Sequence, residues 1–221
     1  MARTRRARWL LVCGVLLVLA GGAALAYVGW EYVGTNWVSA RRHAAIVGDL
    51  EDGWADGQAT VRVEAGTATA IVRIPRFGAD YAVPVLEGTS DDVLAAGFGH
   101  VDGTADAGAV GSYALAAHRV THGQPLRDMP DLEVGDRVVV ETERTTYTYE
   151  LVTAGDALTV PFTADWVLDP LPTNPEEGGV EPPQDPGGRL LTLTTCSELF
   201  HTDDRLVAFG ELVSSSPRRG R

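Results

Sequence analysis

Residues 189–196 read Arg-Leu-Leu-Thr-Leu-Thr-Thr-Cys, with only leucine and β-branched threonine between a charge and a thiol. That composition suits a buried strand, and the run is too short for an ordinary helix. On its carboxyl side, Leu206 to Val213 is a second apolar run, and only eight residues separate Cys196 from Arg205, so the two strands are candidate neighbours. On its amino side, Asn174 to Gly188 holds four prolines and four glycines in fifteen residues, which predicts an exposed loop. Farther back, short runs of the same kind recur: Ala68 to Ile74, Ala82 to Leu86, Ser112 to Ala117, Arg137 to Thr142, Thr145 to Val152 and Ala157 to Val160. Many short strands between turn residues predict an all-β sandwich or barrel. Helices are few: a turn at Val93 to Ala96 capped by Ser90 with Asp91, another after Pro125 through Met129, and a longer one over Thr35 to Trp54.

The amino-terminal 33 residues are of another kind. Trp9 to Trp30 is 22 residues without a charge, a helix of roughly 33 Å at 1.5 Å per residue, against a hydrocarbon core of about 30 Å. Four arginines precede it, and Trp9, Tyr27 and Trp30 stand where aromatic rings favour the interface. We read residues 1–33 as a basic start and a transmembrane anchor, amino terminus cytoplasmic and the rest extracellular. Ala-Leu-Ala at 24–26 leaves open a cleaved signal peptide, which exports the chain equally. Residues 34–58 read as a juxtamembrane helix and linker, 59–214 as the globular domain and 215–221 as a disordered tail.

Composition narrows the function. Acidic residues number 30 against 18 basic ones, all arginine, for a net charge of −12; every acid lies at or after Glu31. Nucleic acid is excluded as a partner, because phosphate binding needs a clustered positive surface. No glycine-rich phosphate loop opens a helix, and no HExxH or cysteine-rich zinc spacing occurs, so neither cofactor nor metal is expected. His118 and His122, four apart, would pair as ligands on a helix, but Val120 and Gly123 make this stretch a loop. The carboxylates between Asp165 and Asp185 lack a calcium-loop spacing and read as a solvated face. With Cys13 inside the apolar span, Cys196 has no disulfide partner in the exported domain, so it is either a buried inert thiol or a reactive one.

Its companions favour reactivity. Cys196 ends one apolar strand, His118 ends the run Ser-Tyr-Ala-Leu-Ala-Ala-His, and Arg205 opens the last strand. Thr192-Leu193-Thr194-Thr195-Cys196 resembles the TLxTC motif of the sortases, the membrane-anchored cysteine transpeptidases of Gram-positive cell surfaces. Arg205, Leu206 and Gly210 fit the RLxxxG segment downstream, and Leu115-Ala-Ala-His118-Arg119 is similar to the family's LAGHR, with Ala117 replacing the glycine. Ile71 to Pro75, followed by Pro84-Val85 and Gly88, resembles its first strands, so the likeness runs from about residue 68 to 213, most closely to actinobacterial class E.

The resemblance implies a sortase-like β-barrel of about eight strands. It implies Cys196 as nucleophile, His118 as proton carrier and Arg205 as the group that holds substrate or oxyanion. Tyr113 and Thr195 are candidate substrate contacts, and His122 and His201 are rival bases to His118. The implied partners are secreted proteins with a carboxyl-terminal LAxTG/LPxTG-type sorting signal and a cell-wall precursor amine. Two alternatives compete. A peptidoglycan-crosslinking cysteine transpeptidase would need a His-x-x-Ser/Gly-rich stretch before the cysteine and an arginine close after it, neither of which is present. An anchored extracellular β-barrel binding module would need only an inert thiol.

Overall fold

The computed structural model describes residues 2–29, 35–196 and 204–218. Helix α1 is Ala2–Gly29, α2 Thr35–Ala55 and α3 the single turn Asp91–Leu94. Strands are β1 Val61–Val63, β2 Gly66–Arg73, β3 Val83–Glu87, β4 Phe98–His100 and β5 Gly111–Ala116, then β6 Arg137–Glu141, β7 Thr145–Leu151, β8 Leu158–Pro161, β9 Arg189–Cys196 and β10 Asp204–Pro217. The ladder runs β1-β2-β3-β4-β5-β9-β10-β7-β6, and β6 pairs back onto β2. Closure through β2–β6 leaves eight strands in a β-barrel, with β1 added on β2 and β8 on β10. All eight expected strands are found; β8 lies off the ring, and the short β4 takes the place in it.

Closure removes exposed edges and sets one face of each strand inside. Val72, Phe98, Tyr113, Leu115, Val140, Tyr149, Leu191, Leu193 and Ala208 meet in the main core. The glycine in β4 is needed for contact: a Cβ on Gly99 would lie 2.4 Å from the carbonyl oxygen of Gly88. β3–β4 and β5–β9 are the parallel pairs, and the other ladders are antiparallel.

Of the two flanking segments, one differs from expectation. The helix expected in residues 34–58 is present as α2, and it packs on the barrel. Ile46, Leu50 and Trp54, at successive four-residue steps on α2, are buried against Ala68, Ile71, Leu86, Val93 and Ala96. Each such side chain contributes about 1.5–3 kcal/mol of burial, so α2 belongs to the folded body. The tail expected over 215–221 is ordered at its start. Ser215, Ser216 and Pro217 pair with Tyr147, Thr146 and Thr145, because β7 is long enough to carry the ladder past the bulge at Leu212/Ser214. Arg218 then lies 4.6 Å from the Trp54 ring centroid and donates from Nε to the Glu143 carbonyl oxygen at 3.1 Å. Residues 219–221 lie outside the described residues.

The apolar run of α1 leaves Leu16, Leu17, Val18 and Leu19 exposed. Among the described residues no helix is long and apolar enough to cross a membrane. Trp30, the far end of the expected span, lies outside the described residues.

Candidate active site

Register brings the chemistry together. β5 and β9 run parallel, with Leu115 opposite Leu193 and Ala116 opposite Thr194. The Ala117 amide extends that ladder by donating to the Thr194 carbonyl oxygen at 3.2 Å. The chain therefore leaves β5 for His118 where β9 reaches Thr195 and Cys196. On the other side of β9, Arg205 is the ladder partner of Cys196, and Leu206 of Thr195. Opposed antiparallel residues have Cα atoms about 4.5–5.5 Å apart. Three neighbouring strands thus bring His118, Cys196 and Arg205 to one end of the barrel, with the cysteine on the middle strand. The side chain of Cys196, like residues 197–203 and the rival base His201, lies outside the described residues.

A cavity of about 360 Å³ opens there, lined by His118, Thr195 and Arg205 with the apolar Leu94, Phe162 and Leu168. Thr195 is tied into its wall: the hydroxyl donates to the Ala117 carbonyl oxygen at 2.7 Å, holding the ends of β5 and β9 together.

Arg205 is buried, at 6% exposure. Its Nη2 donates to the Ala164 carbonyl oxygen at 2.8 Å, and its guanidinium carbon lies 5.7 Å from the Phe162 ring centroid. Its Nε has no hydrogen-bond partner among the described residues. Burial pulls the pKa of Arg205 down and Asp165 pulls it up; a guanidinium remains charged regardless. A buried donor of a cation without an acceptor is costly, and a ligand oxygen in the groove would satisfy it.

His118 is half-buried and stacks on His122, with ring centroids 4.8 Å apart and planes 29° from parallel. Its pKa lies below the ordinary 6.5, first because burial disfavours the cation, then through His122, with Asp91 opposing. At neutral pH the imidazole is therefore a base with a free lone pair.

Tyr113 stands elsewhere. Its side chain shares the interior face of β5 with Leu115, is 3% exposed, and lies 4.8 Å from the His100 ring. The cavity it borders, about 310 Å³ beside Glu87, His100 and Asp106, is a different one, so Tyr113 is a core residue and not a groove contact. Strand alternation is the reason, since Tyr113 and the end of the strand point to different sides. Phe162, Leu94 and Leu168 were not singled out from sequence, because a lone apolar residue in a loop or a single helical turn carries no signal before tertiary contacts exist. Among the described residues no three or more His, Cys, Asp or Glu side chains gather as a metal site.

Residues 72–213 match the family model described as the sortase domain. The chain belongs to the sortase family. Sortase SrtE1 of Streptomyces coelicolor is 34% identical over 219 residues, covering 93% of this chain and 57% of that protein. The chain thus spans little more than half the length of that relative. Sortase SrtE2 of the same organism is 29% identical over 91% of this chain and 81% of its own length. Among solved structures, sortase E from Streptomyces avermitilis is 37% identical with a TM-score of 0.59, covering 70% of this chain and 93% of that one. Sortase E1 from Streptomyces coelicolor with a tripeptide in its active site is 34% identical with a TM-score of 0.56, covering 72% of this chain and 94% of that one. These relatives support class E within the sortases.

Proposed function

We propose that this sortase is an extracellular, membrane-anchored cysteine transpeptidase that cleaves a Leu-Ala/Pro-x-Thr-Gly sorting signal between threonine and glycine and transfers the protein to a cell-wall amine. The observation that carries this reading is the convergence of the ends of β5, β9 and β10 on one groove, with an Arg205 donor that has no partner among the described residues and a neutral His118 beside it.

The chemistry follows from those groups. An unperturbed thiol is only a few per cent ionised at neutral pH, so attack needs a base. His118 accepts the Cys196 proton as sulfur bonds to the threonyl carbonyl carbon. Arg205 donates to the oxygen that gains charge, an electrostatic contribution realised fully only in the transition state. The imidazolium then returns its proton to the departing glycine nitrogen as the C–N bond breaks, leaving a thioester on Cys196. An acceptor amine attacks that thioester, His118 takes its proton, and the thiolate leaves and is reprotonated. The apolar wall of Leu94, Phe162 and Leu168 suits the leucine and alanine side chains of such a signal.

The anchor reading rests on the uncharged run from Trp9 to Trp30, the arginines before it and the exposed leucines of α1. The test incubates the chain in detergent with a Leu-Ala-x-Thr-Gly peptide, its proline version and an amine, with Cys196→Ala as control, and reads products by mass. Threonine–glycine cleavage with amine transfer, lost in the control, is the expected result. No thioester and no transfer with either peptide would shift the reading to an extracellular binding module with an inert cysteine. Recovery of the chain in the carbonate-washed membrane fraction tests the anchor, and a soluble processed form would replace it with a cleaved signal.

A further inference from the structure

The turn after His118 is built against the grain of the backbone. His122, Gly123 and Gln124 have φ of 54°, 81° and 51°, three consecutive left-handed residues of which only the glycine is at ease. Such a conformation persists where its surroundings over-determine it, and it concentrates at functional sites. Here the surroundings are specific. The Gln124 amide donates to the Thr121 carbonyl oxygen at 3.0 Å, and its side-chain Nε2 donates to the Val120 carbonyl oxygen at 2.6 Å. From outside the turn, α2 presses on Gly123, where a Cβ would lie 2.6 Å from His43 Cε1 and 3.2 Å from Ser39 Cβ. His43 and Ser39 are both buried. The outcome of this geometry is the placement of one ring: His122 Nδ1 lies 3.0 Å from Thr121 Oγ1, and its face lies on His118.

Resting on the transpeptidase reading above, we propose that His122 is a positioning residue for His118: the stacked ring keeps the His118 imidazole in place at the groove and favours its neutral, proton-accepting form. Two imidazolium charges about 5 Å apart oppose each other, whereas one charged and one neutral ring do not. The other groups around His118 are the same in the wild type and in a His122 variant, so they do not account for a difference between the two. Asp91 of α3 favours the charged form. His43 of α2 is itself held neutral by burial, at about 4. Arg119 on the turn and Arg205 across the groove carry fixed positive charge, which also disfavours a charged His118.

The experiment is a histidine-selective NMR titration of the full chain in detergent, following the ring Cε1–H signals of His118 and His122 in the wild type, His122→Phe and His122→Gln. Phenylalanine keeps a stacked ring without a charge; glutamine serves if the bulkier ring disturbs the turn. In the wild type His118 is expected to titrate below its ordinary midpoint of 6.5. In either variant the His118 midpoint should be raised by about half a pH unit, the shift for two unit charges about 5 Å apart under water-like screening. An unchanged His118 midpoint in a folded variant would overturn the proposal. The titration needs no substrate, so it answers even if the chain transfers no peptide. Where transfer is observed, the acid limb of its pH–rate profile should move upward in step.

Discussion

His100 ends one strand and His118 lies just past the end of its neighbour, and the structure sets them in opposite surroundings. His100 ends β4, opposite Leu115 of β5, with 6% of its surface exposed. Its Nδ1 lies 3.1 Å from Glu87 Oε2 and its Nε2 3.1 Å from the Ala105 carbonyl oxygen. A ring with both nitrogens held by protein acceptors has none left for a substrate proton. His118, two residues past β5, lies instead on the wall of the groove, its ring packed on another imidazole. The lesson is that hydrogen-bond partners and surroundings, and not a place at a strand end, separate a histidine tied into the fold from one that faces a groove.

The sharpest way to break this contrast is to remove each ring in turn. His118→Asn should cost about 10²–10⁴-fold in transfer rate, the usual range for a general acid–base group, with little change in Tm. His100→Asn should do the reverse: transfer within a few-fold of wild type, and stability lower by about 1–3 kcal/mol from buried hydrogen bonds left unmade. Peptide transfer kinetics and thermal unfolding of the two variants together check it. A His100 variant that keeps its stability and loses transfer would exchange the two roles.

Arg205 extends the comparison to a charge. Unlike either histidine it has one nitrogen tied to protein, at the Ala164 carbonyl oxygen, and another buried without an acceptor among the described residues. Arg205→Lys keeps the positive charge and loses the fork. The expected loss is about 10²-fold in kcat, the scale for removing one donor to a developing oxyanion, with KM changed less. A kcat within three-fold of wild type would show that charge alone suffices there.

The sequence made some of this contrast legible. TLxTC, the arginine nine residues on and the histidine after Leu115 mark the three strand ends directly, and β-branched runs locate the strands that carry them. What the strand pattern did not reveal was set by contacts distant in sequence. β4 escaped notice because three residues with a central glycine carry no periodicity, and its strand geometry depends on the close approach of Gly88. Tyr113 was legible through alternation, which sets it on the face opposite His118 and reads as core packing, and it is buried in the barrel. α2 was readable as a helix from its four-residue spacing, yet nothing local indicates that its apolar face belongs to the barrel or that His43 rests on the turn after His118.

That last contact provides the next perturbation. Gly123→Ala would put a β-carbon 2.6 Å from His43 Cε1 at a φ of 81°. The left-handed backbone alone costs an alanine about 1–2 kcal/mol, and the contact adds to it. The variant should unfold at lower denaturant and lose part of its transfer rate as His118 and His122 shift. Adding His43→Ala removes the closest steric contact and leaves the backbone part and the 3.2 Å approach to Ser39 Cβ. Stability should therefore recover incompletely relative to the His43→Ala parent, measured as a double-mutant cycle in denaturant.

His43 is the third histidine of the comparison, and its signature is in stability. Burial, with Arg42 adding to it, lowers its pKa from 6.5 to about 4. The folded state therefore binds this proton less readily than the unfolded chain. The sign follows: the contribution is fully present above about pH 6.5 and is lost as the pH falls toward 4. By pH 5 the loss from this one group is about 2 kcal/mol. Carboxylates add their own acid dependence, so the decisive quantity is a difference between variants. His43→Gln, which cannot charge, should be less stable than wild type at pH 7.5 if packing suffers, but its stability should fall less between pH 7.5 and 5, by about 2 kcal/mol, in denaturant titrations at the two pH values. His118, also depressed but partly open to solvent at the groove, should give a smaller difference by the same measurement. Parallel pH dependence in wild type and His43→Gln would mean that α2 yields to a charged His43 by moving off Gly123, which would make the support beneath the turn after His118 a movable one.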